Sequence, residues 1–223
     1  MLNPYPPHWM AARRLEQRRE AARRGGIAAV VLAILVNLAF QLVRLRQTDP
    51  ASWLALDYGM RISTLLILAV PPAMRRLVYA REWRETGMIE TVFWILIVGL
   101  FIWVTDCFQP LWALVPDTSL GGYPASQGGL RLLDLTFGLA LVAVHEELLF
   151  RRAMRIALSG LGDGRTMILV SAALFGAYHW WRGIPTVFYA ALFGLVAMLL
   201  YRRTGVLWPL VLLHYLTDLA YFA

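Results

Sequence analysis

The 223-residue chain lacks lysine, has a single cysteine and is poor in charged residues. Cys107 alone cannot form a disulfide within the chain, and no cysteine cluster of the kind that binds a metal is present. Only 16% of the residues are charged, against about a quarter in an average soluble domain. In contrast, 59% are hydrophobic, and the mean hydropathy is +0.58. This composition is typical of a membrane protein and argues against a soluble globular domain.

Apolar stretches with few charges recur along the whole chain. They cover 27–43, 63–70, 91–105, 135–144, 167–178, 186–200 and 206–213. A helix that spans a bilayer needs roughly 20 mostly apolar residues, and shorter stretches can be tilted or packed against neighbours. Most of the seven stretches lack the polar face of a helix on a soluble domain. We therefore predict an all-α, polytopic membrane protein with about seven transmembrane helices, within a range of six to eight.

The distribution of arginine predicts the orientation of the chain. All 21 basic residues are Arg, and the formal net charge is +7. With seven spans, sixteen arginines lie on one side and four on the other, and Arg61 lies in or near the second span. The positive-inside rule then places the N-terminus on the cytoplasmic side of the membrane. The predicted localisation is the inner (plasma) membrane, as a multi-pass protein. Because topology and lipid contact explain the basic excess, no nucleic-acid partner is predicted.

The chain divides into three predicted regions. Residues 1–25 form a basic cytoplasmic segment, 26–130 hold the N-terminal transmembrane helices and an external loop, and 131–223 form the catalytic helical region. The loop lies at 116–129, where Gly, Pro and Ser are frequent. Helices before residue 130 offer few buried ionisable candidates, whereas most helices after it carry one inside the apolar run. We therefore expect the chemistry in the last region.

Five ionisable residues lie shortly after the apolar stretches of this region, on the same predicted helices. They are Glu146, Glu147, His179, His214 and Asp218. A charge in the hydrocarbon costs several kcal/mol unless it is paired or faces a wet cavity, so each is a functional candidate. The alternative is that these polar groups only link neighbouring helices. At 1.5 Å per residue, Glu146 and His179 both lie roughly 21–23 Å from the loop that joins their helices. His214 and Asp218 lie about 14 and 20 Å along theirs, at a similar level.

The adjacent acids Glu146 and Glu147 are expected to have different roles. Glu147 and Arg151 are spaced i, i+4 with the acid first, the favourable order for an ion pair on a helix. Glu146 points about 100° away around the helix and is expected to lack that partner. An unpaired buried carboxylate suits a general base, so we predict that Glu146 reacts while Glu147 is structural. Arg152 is expected at the interface, facing the cytoplasm.

The imidazoles allow two related ways to activate water. In one, a Zn²⁺ ion binds the water and makes it acidic. In the other, which needs no metal, Glu146 and His179 activate the water while His214 and its neighbour stabilise the oxyanion. His214 and Asp218 share one helix face at i, i+4, so Asp218 can orient the imidazole. Both schemes predict water attack on a carbonyl, most simply peptide hydrolysis. The stretch "HEELL" does not complete the H-E-x-x-H zinc motif, since Leu149 stands at the second ligand position.

Three motifs in order resemble those of the CPBP family of intramembrane proteases, the CAAX proteases and bacteriocin-processing enzymes also called the Abi family. The motifs are E-E-x-x-x-R at Glu146, Glu147 and Arg151, F-x-x-x-H at Phe175 and His179, and H-x-x-x-N/D at His214 and Asp218. The resemblance covers 139–222, including "RRTGVLW" before the last helix. It implies a protease whose site opens within the bilayer.

By this resemblance, Glu146 and His179 would activate water, and His214 with position 218 would hold the oxyanion or a ligand. The family name implies a metalloprotease, so the cofactor is expected to be Zn²⁺ or none. Many members have Asn where this chain has Asp218. An ionised Asp only accepts hydrogen bonds, so Asp218 is expected to orient His214 or to lie near a metal.

The predicted function is an intramembrane endopeptidase acting on a membrane-associated peptide or protein, such as a CAAX-type C-terminus, a leader peptide or a sorting tail. Its expected partners are the lipid bilayer and that substrate. The alternative is a non-catalytic membrane protein, a transporter, immunity factor or scaffold, that uses the same polar residues as a proton or ligand path. Repeated halves with broken helices, which many transporters show, are not evident.

Overall fold

The structure, a computed structural model, describes residues 8–79, 88–112, 114–160 and 164–223. Within these ranges all regular structure is helical and no strand occurs, which confirms the all-α prediction. The α-helices are α1 (His8–Arg44), α2 (Pro50–Ala69), α3 (Pro72–Val78), α4 (Met88–Trp112), α5 (Gly128–Leu133), α6 (Leu139–Glu147), α7 (Met154–Ala157), α8 (Gly164–Tyr178), α9 (Ile184–Thr204) and α10 (Trp208–Phe222).

The helices α5, α6 and α7 form one continuous helical rod, 128–157, at the centre of the molecule. Two π-helical segments, Asp134–Gly138 and Leu148–Ala153, join them. Every residue of 145–154 is buried, because neighbouring helices surround the rod at this level. π-Helical turns are rare in proteins overall, but those that occur are often found at functional sites. Here one follows directly after Glu146 and Glu147.

The other helices pack around this rod in hairpins. Helices α1 and α2 form one hairpin, and α8 and α9 form another. Helix α10 and helix α2 both lie against α6, while α1 lies against α7. The buried acids on α6 are therefore met by side chains from both halves of the chain.

Helices α8 and α9 approach closely because small residues face each other between them. A Cβ placed on Gly176 of α8 would lie 2.7 Å from both the carbonyl oxygen of Val187 and Cβ of Ala191 on α9. Small residues at such contacts allow helix backbones to approach, as in many membrane bundles. Gly205 follows the last residue of α9, and its φ of 72° gives the left-handed turn common after a helix.

Helix length identifies fewer candidate spans than the apolar pattern predicts. Among the described residues, Ala12–Arg44 and Ile184–Thr204 are long and apolar enough to cross a membrane, and Val92–Phe101 and Gly164–Tyr178 are shorter apolar helices. Helices α8 and α10 have 15 residues each, or about 22 Å, which is less than the roughly 30 Å of a hydrocarbon core. The coarse class is thus an all-helical protein with candidate membrane spans.

Large apolar side chains remain exposed on one face of α1 and on one face of α4. They are Val31, Leu35, Leu38 and Leu42 on α1, and Leu96, Leu100 and Trp103 on α4. Soluble monomers rarely expose contiguous apolar surfaces of this kind.

The predicted N-terminal segment, 1–25, is not separate from the first helix. Residues 8–25 form the beginning of α1, and residues 1–7 lie outside the described residues.

The expectation that the first helices hold few buried ionisable residues is wrong. Arg44 on α1 and both Asp57 and Arg61 on α2 are at most 5% exposed. These three form a buried ionic cluster: Arg44 donates to Asp57, and Arg61 donates to Asp57 through two nitrogens, at 2.9 and 3.0 Å. Mutual pairing makes their burial possible, because a lone charge there would be strongly destabilising.

Candidate active site

Glu146 and Glu147 are the last two residues of α6, at the point where the rod is enclosed on all sides. Both are essentially fully buried. Their side chains point in different directions, as expected for adjacent helical residues. Glu146 therefore contacts α2 and faces the imidazoles, whereas Glu147 contacts Arg151 and α10.

His179 follows the end of α8, in the turn that leads to the short 3₁₀ helix Trp180–Arg182. Its Nδ1 lies 2.9 Å from the carbonyl oxygen of Phe175, one helical turn earlier. A carbonyl only accepts, so Nδ1 carries the proton, and Nε2 of the neutral ring is left as an acceptor. The Nε2 atom lies 3.9 Å from Oε2 of Glu146, and the side chain remains 20% exposed.

His214 on α10 is oriented by Glu147 rather than by Asp218. Its Nδ1 lies 3.0 Å from Oε1 of Glu147, a charge-assisted hydrogen bond. Oδ2 of Asp218 lies 3.6 Å from Nε2, on the opposite side of the ring and beyond hydrogen-bond range. Glu147 thus orients His214, as was expected of Asp218. From the sequence, Glu147 is expected only to form an ion pair with Arg151.

The structure brings the four predicted catalytic side chains together. Oε2 of Glu146 lies 3.7 Å from Nε2 of His214, in addition to its 3.9 Å separation from Nε2 of His179. This oxygen is buried and has no hydrogen-bond partner among the described residues. A buried polar atom of this kind is normally satisfied by protein or by ordered water. The four side chains line a cavity of about 70 Å³, large enough for water.

Glu146 lacks the partner Arg151, as expected, but it has another buried partner on α2. Nη1 of Arg61 donates to Oε1 of Glu146 at 3.1 Å, and it also lies 3.3 Å from Nδ1 of His145. Asp57 and Arg61 are spaced i, i+4 with the acid first, inside an apolar helix. This is the same signal that predicted the pair of Glu147 and Arg151, and it could have identified the second pair.

Glu147 and Arg151 form the ion pair expected from their spacing. Nε of Arg151 lies 3.0 Å from Oε2 of Glu147, and both side chains are fully buried. The guanidinium also lies 4.7 Å from the ring centre of Phe175, a cation–π contact. The ring of Phe175 in turn lies 6.0 Å from that of His214. Phe175 therefore joins the ion pair to both imidazoles.

Arg152 is not the exposed interfacial arginine that the sequence suggested. It is 8% exposed, and it donates to the carbonyl oxygen of Val78 at 2.7 Å and to the hydroxyl of Tyr201 at 3.3 Å. The reason is the enclosure of the rod: α3 and α9 both lie against the second π segment.

The side chains at the centre are of the types that bind Zn²⁺, namely one carboxylate oxygen and two imidazole nitrogens. Zinc bonds of 2.0–2.1 Å in a tetrahedron place ligand atoms about 3.4 Å apart. The separations from Oε2 of Glu146 are 3.7 and 3.9 Å, and no group of three or more His, Cys, Asp or Glu side chains in the described ranges has metal-binding geometry. In this arrangement the imidazole nitrogens lie farther from the carboxylate oxygen than the ligands of a tetrahedral zinc site do.

Fold and site together define an all-helical protein with candidate membrane spans and a buried carboxylate–imidazole centre. Residues 128–220 match the family model described as "Type II CAAX prenyl endopeptidase Rce1-like". This region is therefore similar to the Rce1-like, CPBP-family domain, in agreement with the resemblance that its three motifs predicted. The match points to a CAAX-type protease. No curated protein and no solved structure matches the chain.

Proposed function

We propose that this protein is an intramembrane endopeptidase that hydrolyses a peptide bond near the C-terminus of a membrane-associated substrate. The observation that carries the proposal is Oε2 of Glu146, a buried carboxylate oxygen that accepts no hydrogen bond from the described residues. It faces two imidazole nitrogens at 3.7 and 3.9 Å. An acid and two imidazoles at one cavity are suited to activate water and to stabilise an oxyanion.

In the proposed mechanism, a water molecule lies between Oε2 of Glu146 and Nε2 of His179. Glu146 takes one proton from the water as its oxygen attacks the scissile carbonyl carbon. His214, held by Glu147, donates from Nε2 to the carbonyl oxygen, and a proton on this nitrogen is stabilised by the nearby Asp218. The carbon–nitrogen bond then breaks, and Glu146 returns its proton to the departing amine.

We further propose a multi-pass arrangement of about seven spans in a plasma membrane, with the N-terminus in the cytoplasm. Most of the seven apolar stretches lie inside helices of the structure, and the last begins two residues before α10. The exposed apolar faces of α1 and α4 and the buried charges around α6 support this arrangement. The short α8 and α10 would then lie within a bundle, where neighbours cover their ends.

The test uses the purified protein in detergent or vesicles with a quenched, farnesylated CAAX-type peptide and its unprenylated counterpart. Wild type should release the C-terminal fragment, detected by fluorescence and identified by mass spectrometry. Glu146→Gln keeps the shape of the side chain but removes the base, so we expect a loss of at least about 100-fold in kcat. Cleavage by Glu146→Gln at the wild-type rate would exclude Glu146 as the base.

The same assay addresses the metal. Because the side-chain separations are longer than those of a tetrahedral zinc site, we favour the metal-free scheme and expect full activity after dialysis against a chelator and less than one equivalent of metal by elemental analysis. Loss of activity on chelation, with recovery on adding back Zn²⁺, would replace the metal-free scheme.

A further inference from the structure

We propose that Arg61 on α2 is a positioning residue that fixes the reactive orientation of Glu146. The inference rests on the proposed function, in which Glu146 is the general base. Arg61 lies outside residues 128–220, the region that matches the family model. The N-terminal half of the chain would then complete the active site rather than only anchor it.

The two oxygens of the Glu146 carboxylate have different surroundings. Oε1 accepts a hydrogen bond from Nη1 of Arg61 at 3.1 Å, whereas Oε2 faces the imidazoles and has no hydrogen-bond partner in the described part of the chain. A carboxylate is planar, so anchoring one oxygen largely fixes where the other points. Catalytic groups need this support, because small errors in geometry are costly to the rate.

Arg61 is itself held rigidly from behind. Its Nε and Nη2 donate to the two carboxylate oxygens of Asp57 at 2.9 and 3.0 Å, a bidentate pair. Asp57 also accepts from Arg44, whose guanidinium lies 4.2 Å from the ring centre of Trp53 and 4.6 Å from that of Trp181. An aromatic and ionic support thus extends from the wall of the cavity to Glu146.

The pairing of Arg61 with Asp57 leaves one donor group for the active site. Two of the three guanidinium nitrogens are used by Asp57, and the third, Nη1, is directed at Glu146 and His145. Arg44, Asp57, Arg61 and Glu146 together carry two positive and two negative charges, so the buried row is electrically balanced. A purely structural pair of Asp57 and Arg61 would not need the contact with Glu146.

The test compares Arg61→Gln and Arg61→Lys with Thr64→Val as a matched control. Thr64 lies one helical turn after Arg61, is equally buried and accepts from Nδ2 of Asn37 at 2.6 Å, so its replacement removes an α1–α2 contact away from Glu146. In Arg61→Gln, Asp57 keeps its bond to Arg44, which helps the variant to fold. Cleavage of the quenched CAAX-type peptide and thermal unfolding are measured for each.

We expect Arg61→Gln to lower kcat by about 10- to 100-fold with KM within about twofold of wild type, because the proposed role of Arg61 is to position the base. Arg61→Lys should recover part of the loss, and Thr64→Val should leave kcat unchanged. If Arg61→Gln fails to fold, Arg61→Lys, which keeps the charge beside Asp57, carries the test through its kcat alone.

Several outcomes would overturn the inference. They are a wild-type kcat in a folded Arg61 variant, a change confined to KM, and an equal loss of kcat in Thr64→Val. A wild-type rate in Arg61→Gln together with an inactive Glu146→Gln would refute the positioning role and leave the proposed function intact. Full activity in Glu146→Gln would instead refute the proposed function itself.

Discussion

Replacing Glu147 with Met should lower both the stability of the fold and the activity. Glu147 pairs with Arg151 at 3.0 Å, and both side chains are fully buried. Removing one partner of a buried pair costs about 3–5 kcal/mol, because the remaining charge is left uncompensated. For a chain of this size, that loss corresponds to a decrease of roughly 6–20 °C in the unfolding midpoint. The change also removes the hydrogen-bond acceptor of Nδ1 of His214.

The double variant Glu147→Met/Arg151→Met distinguishes these two effects. Replacing both members of a buried ion pair by apolar groups of similar size is often neutral or stabilising, so most of the lost stability should return. Activity should not return, because His214 still lacks the acceptor that fixes its orientation. We expect kcat to remain at least about 100-fold below wild type in both variants.

Thermal unfolding in one detergent and cleavage of the quenched CAAX-type peptide measure the two quantities on the same samples. The single variant Arg151→Met is the control, because it breaks the ion pair but leaves Glu147 bonded to His214. A double variant that regains wild-type activity would refute the orienting role of Glu147. A double variant no more stable than Glu147→Met would refute the energetic role of the ion pair.

Two further predictions concern Asp218 and the contact between α8 and α9. Asp218→Asn should lower kcat/KM by less than about tenfold, and by less than Glu147→Met does, because Oδ2 lies 3.6 Å from Nε2 of His214, beyond hydrogen-bond range of this nitrogen. A larger loss on the same peptide would contradict this. Gly176→Val should destabilise the fold by about 1–3 kcal/mol, since its Cβ would lie 2.7 Å from two atoms of α9. Gly99→Val is the control, because a Cβ there meets no atom within 4 Å among the described residues. Equal unfolding midpoints for the two variants would contradict the prediction.

The two acid–arginine pairs show how far spacing alone can be used. The i, i+4 spacing predicted the contact of Glu147 with Arg151, which the structure contains at 3.0 Å. The same spacing in Asp57 and Arg61 predicts their pairing equally well. Spacing could not show that the third nitrogen of Arg61 meets Glu146, because that contact joins residues 85 positions apart on different helices.

Helix length was less predictable than helix position. The apolar pattern located most of the helical stretches correctly because hydrophobicity indicates burial in protein or lipid. It did not give the ends: α8 begins at Gly164 and α10 at Trp208, so both are only 15 residues long. Loops, prolines and glycines set these ends, and their effect depends on what the neighbouring helices can cover.

By itself, the sequence determined the all-helical class, the family likeness of the C-terminal region and a common depth for Glu146 and His179, since rise per residue and motif order are properties of the chain. Only the tertiary structure decided that Arg61 anchors Glu146 and that Glu147, not Asp218, holds His214. Spacing along a helix fixes the height and the face of a side chain. The partner that it meets depends on how the packed helices are rotated against one another.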